Sequence, residues 1–181
     1  MDRTDTRSRI QEVALRMFID KGYEATSLRE IAEELGVTKA ALYYHFDTKE
    51  KIVTSLIDDR IARLEELAEW GRTQPRTPEA RREFIRRYAD ELHQGRHHDT
   101  MRFFERNQTA LHDHPSSLRM RELMMSLIDM LSEADAPLEE KLKRSMAIFA
   151  VHATWFILRD QDVTDEQRQA AGLAVALELV G

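Results

Sequence analysis

Residues 38–46 read TKAALYYHF, which places two tyrosines, a histidine and a phenylalanine directly behind a pair of alanines in a chain that is only 7% aromatic. On a short helix, such a run could do the chemistry of nucleic-acid contact. Small residues let the backbone approach closely, tyrosines reach thymine methyls and phosphates, and Lys39 and His45 add positive charge at the edges. With Leu42 set as the inward direction and 100° per residue, Ala40 and Tyr44 point outward. Tyr43 and Ala41 then flank them, while Thr38 and Phe46 fall near the buried side. Lys49, opening the next helix, brings a positive charge beside that helix's amide donors, a place for a phosphate. The competing reading makes the aromatics ordinary core. It suits Phe46 and not Tyr44, which stands opposite Leu42.

A second candidate chemistry lies among the histidines, six of which follow residue 90: His93, His97, His98, His112, His114 and His152. His93 and His97 are four apart, a spacing that holds a metal on one helix face, and Asp99 is close by. Gly95 interrupts that helix, however, no cysteine assists, and the glutamate of an HExxH motif is missing. No metal or cofactor is therefore expected. An enzyme of the helical metal-dependent hydrolase kind remains the alternative that this cluster would serve, and it leaves residues 27–49 unexplained.

The rest of the chain limits what can position these groups. Its 181 residues suffice for one or two domains with a hydrophobic core. It contains no cysteine, which removes disulfides and thiol nucleophiles and fits a reducing compartment. No apolar run approaches the ~20 residues of a membrane span, and the first 20 residues are charged throughout, unlike a signal peptide. A cytoplasmic protein, not membrane-bound, is expected. Only six glycines and four prolines, with apolar residues every three to four positions, predict an all-α fold. The net charge of −6, and eight Lys or Arg against ten Asp or Glu in residues 1–50, argue that any DNA contact comes from a local patch. That patch would comprise Arg3, Arg7 and Arg9 in the amino-terminal arm, with Arg29, Lys39 and Lys49.

Periodicity predicts a first helix over 6–21, with Ile10, Val13, Ala14, Met17 and Phe18 as its apolar stripe and Gly22 as its stop. Thr26 or Ser27 caps a second helix that buries Leu28, Ile31, Ala32 and Leu35 and ends at Gly36. Thr38 caps a short third helix through His45, and Thr48 opens a long fourth through Ile52, Leu56, Ile61, Leu64 and Leu67 to about Trp70. Residues 71–78, with a glycine and two prolines, form a loop. Later helices fall at about 79–94, 99–111, 116–133, 138–159 and 165–180. Two helices joined by a short glycine-containing turn make a helix-turn-helix, whose second helix enters the major groove. Ala32 allows close approach, Gly36 the turn, and Leu42 the inward anchor.

Residues 6–56 as a whole, with Gly22, Thr26, Ala32, Gly36, Leu42-Tyr43, His45-Phe46 and Lys49 together, resemble the DNA-binding domain of TetR-family transcriptional regulators. The resemblance implies that Ser27, Tyr43, His45 and Lys49 meet phosphates, and that Arg29, Lys39, Ala40, Ala41 and Tyr44 face bases. Thr38 counts with them at the head of the recognition helix. Alanines at 40 and 41 leave few base-specific hydrogen bonds. The domains are expected at 1–47, a helix-turn-helix, and 48–181, a larger helical ligand-binding and dimerisation domain.

Helix 138–159 has two apolar faces: Leu142, Met146, Phe149, Ala153 and Phe156 on one, and Ile148, Val151, Trp155 and Leu158 on the other. A helix apolar on both sides must be covered on both, by its own domain and by a partner. The last helix sets Leu173, Ala174 and Leu177 among alanines at 170, 171 and 176, small residues that let helices approach closely. A homodimer built on these two helices is predicted. In TetR-like regulators, the resemblance implies, such helices form a four-helix interface and two recognition helices read a palindromic site. It further implies an apolar pocket for a small-molecule effector, for which Trp70, Phe84, Tyr88, Phe103, Phe104, Met124 and Trp155 are candidates, although Met and aromatic residues at helical spacing also make plain core. The expected function is a ligand-responsive repressor, not an enzyme, acting on double-stranded operator DNA. A helical interaction protein without operator binding is the further alternative.

Overall fold

The computed structural model describes residues 3–93, 100, 103, 115–158 and 161–181, without the side chains of 3–5, 93, 115, 117 and 155. Eight helices and no strand occur among them: α1 (Arg3–Asp20), α2 (Leu28–Leu35), α3 (Lys39–His45), α4 (Lys49–Arg72), α5 (Pro78–His93), α6 (Pro115–Asp129), α7 (Leu138–Ile157) and α8 (Asp165–Leu179). The chain divides into two compact units, Met1–Arg60 with Gly95–Leu118, and Ile61–Gln94 with Arg119–Gly181. The division falls within α4, whereas the sequence suggested a boundary just ahead of that helix. The helix expected at 99–111 lies outside the described residues apart from Thr100 and Phe103.

In the first unit the predicted apolar stripes meet. Ile10, Ala14, Met17 and Phe18 of α1, Leu28, Ile31 and Ala32 of α2, Leu42 of α3, and Ile52, Val53 and Leu56 of α4 are buried. Burying such side chains contributes about 1.5–3 kcal/mol each against leaving them in water. One polar seam runs through this core: Gln11 Nε2 donates to Ser55 Oγ at 2.9 Å and to Asp59 Oδ2 at 2.6 Å. Arg7, expected in a positive arm, lies within helix α1 and pairs with Asp59 at 3.2 Å. Helix formation from Arg3 onward replaces the arm.

In the second unit α4 continues through Gly71 and Arg72, two residues into the expected loop. Gly71 is tolerated because a Cβ there would stand 2.9 Å from Phe84 Cε2; the missing side chain lets that ring lie against α4. The prolines then act as punctuation, Pro75 in the loop and Pro78 at the first position of α5, where its absent N–H costs nothing. Leu64, Leu67, Ile85, Tyr88, Leu92, Leu127, Ile148, Val151 and Val180 form the core. Helices α7 and α8 pair most extensively, with Gly172 and Ala176 buried. Buried Arg81 ties the corner, donating from Nε to the Val180 carbonyl and pairing with Glu133 at 3.2 Å.

Candidate nucleic-acid interface

Two glycines and two caps set the helix-turn-helix. Gly22 (φ 98°) closes α1, in a backbone region that disfavours other residues. Ser27, not Thr26, is the N-cap of α2. Its Oγ accepts the Glu30 amide at 3.2 Å while its own amide donates to Glu30 Oε2 at 2.8 Å, a complete capping box. Thr26 is buried and braces the turn, its hydroxyl donating to the Gly22 carbonyl at 2.8 Å. Gly36 (φ 67°, ψ 28°) ends α2 in the left-handed region, and the Val37 amide donates back to Ala32 O at 3.0 Å. Thr38 then caps α3, accepting the Ala41 amide at 3.1 Å.

The predicted orientation of α3 is the one observed. Leu42 is fully buried, whereas Tyr44 is 68% exposed and Ala40, Ala41, Lys39 and Tyr43 are exposed beside it. Lys39 Nζ lies 5.1 Å over the Tyr43 ring, and the Tyr44 and His45 rings meet edge to face at 5.3 Å. Phe46 is buried, with the Arg7 guanidinium 5.5 Å above it. Thr38, however, is exposed and not near the buried side. As an N-cap it has extended backbone (φ −68°, ψ 150°), so the helical rotation that placed it inward does not reach it. Ser27 and Arg29 share solvent exposure with this face, and Arg29 pairs with Glu33 at 2.7 Å, one turn on.

Lys49, expected at a phosphate, also makes contacts within the chain. It is half buried, and its ammonium is turned into the α1–α2 turn, donating to Tyr23 O at 2.6 Å and Glu24 O at 3.4 Å, 4.5 Å over the Tyr23 ring. Tyr23 in turn donates its hydroxyl to Glu50 Oε1 at 3.0 Å. Burial, and then the Glu50 carboxylate, push the Tyr23 hydroxyl well above its ordinary pKa. The backbone amide of Glu50 itself, at the start of α4, leads in holding that carboxyl below the usual range, helped by the Tyr23 hydroxyl.

Phe103 lies apart from the other pocket candidates. It was expected in an effector pocket of the second domain, but it is buried in the first unit, 5.6 Å from Phe18 and 5.7 Å from Tyr23. Sequence position cannot reveal that residue 103 returns to the amino-terminal core.

In the second unit, Trp70 and Phe84 stack at 6.5 Å with the Arg87 guanidinium 4.1 Å over the indole. Both line a cleft of about 140 Å³ with Gln74, Arg81 and Met130. That is smaller than the roughly 300–1,000 Å³ of a drug-sized site. Tyr88 is fully buried, its hydroxyl 2.6 Å from His152 Nε2 and 3.8 Å from Met124 Sδ. His152 is one of six histidines after residue 90, and its pairing with a residue 64 positions away has no spacing signal. Phe104, the Trp155 side chain, the His93 side chain, His97, His98, Asp99, His112 and His114 lie outside the described residues. Among described residues no group of three His, Cys, Asp or Glu could hold a metal ion, and no helix is long and apolar enough to cross a membrane.

Helix α7 is two-faced as predicted. Ala147, Ile148 and Val151 are buried, while Leu142 (66%), Met146, Phe149 (52%) and Phe156 are exposed in one stripe with Ala153 half buried among them. Leu138 and Ile157, both exposed, lengthen it. On α8, Leu173 and Leu177 are half buried and Ala174 is exposed.

The family described as bacterial regulatory proteins, tetR family, matches residues 10–56, which is the helix-turn-helix just described with the start of α4. The crystal structure of Mycobacterium smegmatis AmtR is 27% identical and covers 97% of this chain and 86% of its own, with a TM-score of 0.67. Residues 10–56 are a TetR-family helix-turn-helix domain. Among curated relatives, the HTH-type transcriptional regulator TtgR of Pseudomonas putida is 41% identical over 68 residues, 34% of this chain and 32% of TtgR. The HTH-type transcriptional repressor KstR2 of Rhodococcus jostii is 32% identical over 78 residues, 41% of this chain and 38% of KstR2. The chain thus spans about a third of the length of these curated relatives. A TetR-like structure from Rhodococcus RHA1, at 18% identity, shares the fold with a TM-score of 0.71, covering 100% of this chain and 98% of its own.

Proposed function

We propose that this chain is a homodimeric, DNA-binding regulator of transcription that acts as a ligand-responsive repressor in the cytoplasm. The carrying observation is the exposure of Tyr44, Tyr43, Ala40 and Ala41 on a helix anchored only by Leu42. An ordinary packing helix would have hidden those rings. In this reading Ser27, Tyr43, His45 and Lys49 meet phosphates and Arg29, Lys39, Ala40, Ala41 and Tyr44 face base edges, with Thr38 at the helix head. Two alanines offer thymine methyl contacts more than hydrogen bonds, so shape and methyl readout dominate.

A major-groove reader of this kind needs a twin to meet half-sites one helical turn apart, which makes the operator palindromic. The exposed apolar stripe of α7, with Leu173, Ala174 and Leu177 of α8, supports a two-fold interface. An effector binding one arrangement of the dimer better than the other shifts operator occupancy in proportion to that difference. Trp70 and Phe84 border the described cleft, and Tyr88, Met124 and His152 lie in the same unit. The AibR structure, 21% identical over 93% of this chain and 96% of its own with a TM-score of 0.64, contains isovaleryl coenzyme A and operator DNA. That pairing is consistent with small-molecule control on this fold.

The test is Tyr44→Ala. Its affinity for a duplex selected by the wild-type protein from a randomised library should fall about tenfold or more, while sedimentation shows the wild-type oligomer. Undiminished affinity, or loss of the oligomer, would overturn the placement of the two faces.

A further inference from the structure

We infer that Lys49 is a positioning residue: its ammonium clamps the α1–α2 turn onto the start of α4 and so holds the amino-terminal end of α2 in place for DNA. The inference rests on the DNA-binding reading above and adds a second role to the phosphate contact that the resemblance implies for this lysine.

The geometry at the ammonium carries it. Two of its three N–H donors are directed at backbone carbonyls, Tyr23 O at 2.6 Å and Glu24 O at 3.4 Å. The Tyr23 ring, 4.5 Å away, covers one side of the charge. The stem is half buried at the first position of α4. The bond to Tyr23 O is short and charge-assisted, the stronger class of hydrogen bond.

The clamp acts on the segment that sets α2. Tyr23 O also accepts the Thr26 amide at 3.3 Å, and Thr26 is the residue before the N-cap Ser27. One carbonyl is therefore shared between Lys49 and the turn that aims the capping box. Tyr23 is fixed from three further directions: its hydroxyl on Glu50, and its ring against Phe18 at 5.0 Å and Phe103 at 5.7 Å. Lys49 and Glu50, adjacent at the start of α4, thus grip the two ends of the same tyrosine. Removing the ammonium loosens residues 23–28 while leaving the hydrophobic core intact.

The experiment compares wild type and Lys49→Met, which keeps the aliphatic stem, by fluorescence anisotropy on the selected duplex over a range of salt. A lost phosphate contact lowers the slope of log K against log salt by about 0.9. A lost clamp weakens binding about tenfold without itself changing the slope. Hydrogen exchange without DNA should then show faster amide exchange over residues 23–28 in Lys49→Met than in wild type. Tyr23→Leu, which removes the ring from the same clamp, should weaken binding non-additively with Lys49→Met. A slope reduced by about 0.9 with unchanged exchange, or wild-type affinity in Lys49→Met, overturns the inference. A wild-type protein that selects no duplex overturns the DNA-binding reading instead, and the exchange measurement still decides whether the clamp exists.

Discussion

Gly172→Ala sets two effects of similar size against each other, and the structure decides the sign. Gly172 lies inside α8, where alanine is favoured over glycine by about 0.8–1.0 kcal/mol from backbone entropy. Yet a Cβ at this position would stand 2.6 Å from Thr154 Cγ2, 3.3 Å from Ala150 O and 3.5 Å from Val151 Cα. The methyl cannot swing aside freely. Thr154 is buried, β-branched, and tied through Oγ1 to Val151 O at 3.1 Å. Overpacking a site of this kind costs about 1–3 kcal/mol, so Gly172→Ala should destabilise by a net ~1 kcal/mol. Thr154→Ser removes the obstructing methyl and alone costs about 0.8 kcal/mol of burial. In that background Gly172→Ala should stabilise, giving a coupling of about 2 kcal/mol. Urea unfolding of the four proteins at one fixed protein concentration measures the cycle, since association shifts apparent stability. Stabilisation by Gly172→Ala in the wild-type background, or additivity of the pair, would refute the close α7–α8 approach.

Phe149 is about half exposed, and a two-fold interface buries it twice, so its contribution is about 2 kcal/mol per dimer. Phe149→Glu adds an unpaired charge there and should weaken association at least about a hundredfold by sedimentation equilibrium; an unchanged association constant, or a monomeric wild type, counts against the interface. The Ser27 hydroxyl, and then its amide, hold the Glu30 carboxyl below its ordinary value. A depressed carboxyl supports the fold above the ordinary value of about 4.3 and loses that support as the pH falls through the lowered one. Ser27→Ala should accordingly raise the Glu30 midpoint followed by carbon NMR, and an unmoved midpoint would show the capping box to be idle.

Local periodicity made the first unit legible. The inward Leu42 and outward Tyr44 follow from 100° steps, the left-handed Gly36 and the N-cap role of Thr38 from turn and cap chemistry, and the structure has all four. The two-faced α7 was readable for the same reason. What escaped was long-range. Lys49 looked like a surface cation because nothing local announces that two carbonyls 25 and 26 positions earlier lie under its ammonium. Phe103 was given to the wrong unit, and the Tyr88–His152 pair joins helices α5 and α7 with no shared motif. Thr38 was turned inward by extending a helical rotation one residue past the helix.

The short helix α3 has a single buried side chain among its seven residues. Its remaining positions bear little of the fold's stability, since exposed substitutions away from special features usually stay within about ±0.5 kcal/mol. Changes at 39, 40, 41, 43 and 44 can therefore accumulate without endangering the framework beneath them. Duplicated copies of such a gene could drift toward new target sites one outward residue at a time, each intermediate still folded, with Leu42 as the one position closed to that traffic.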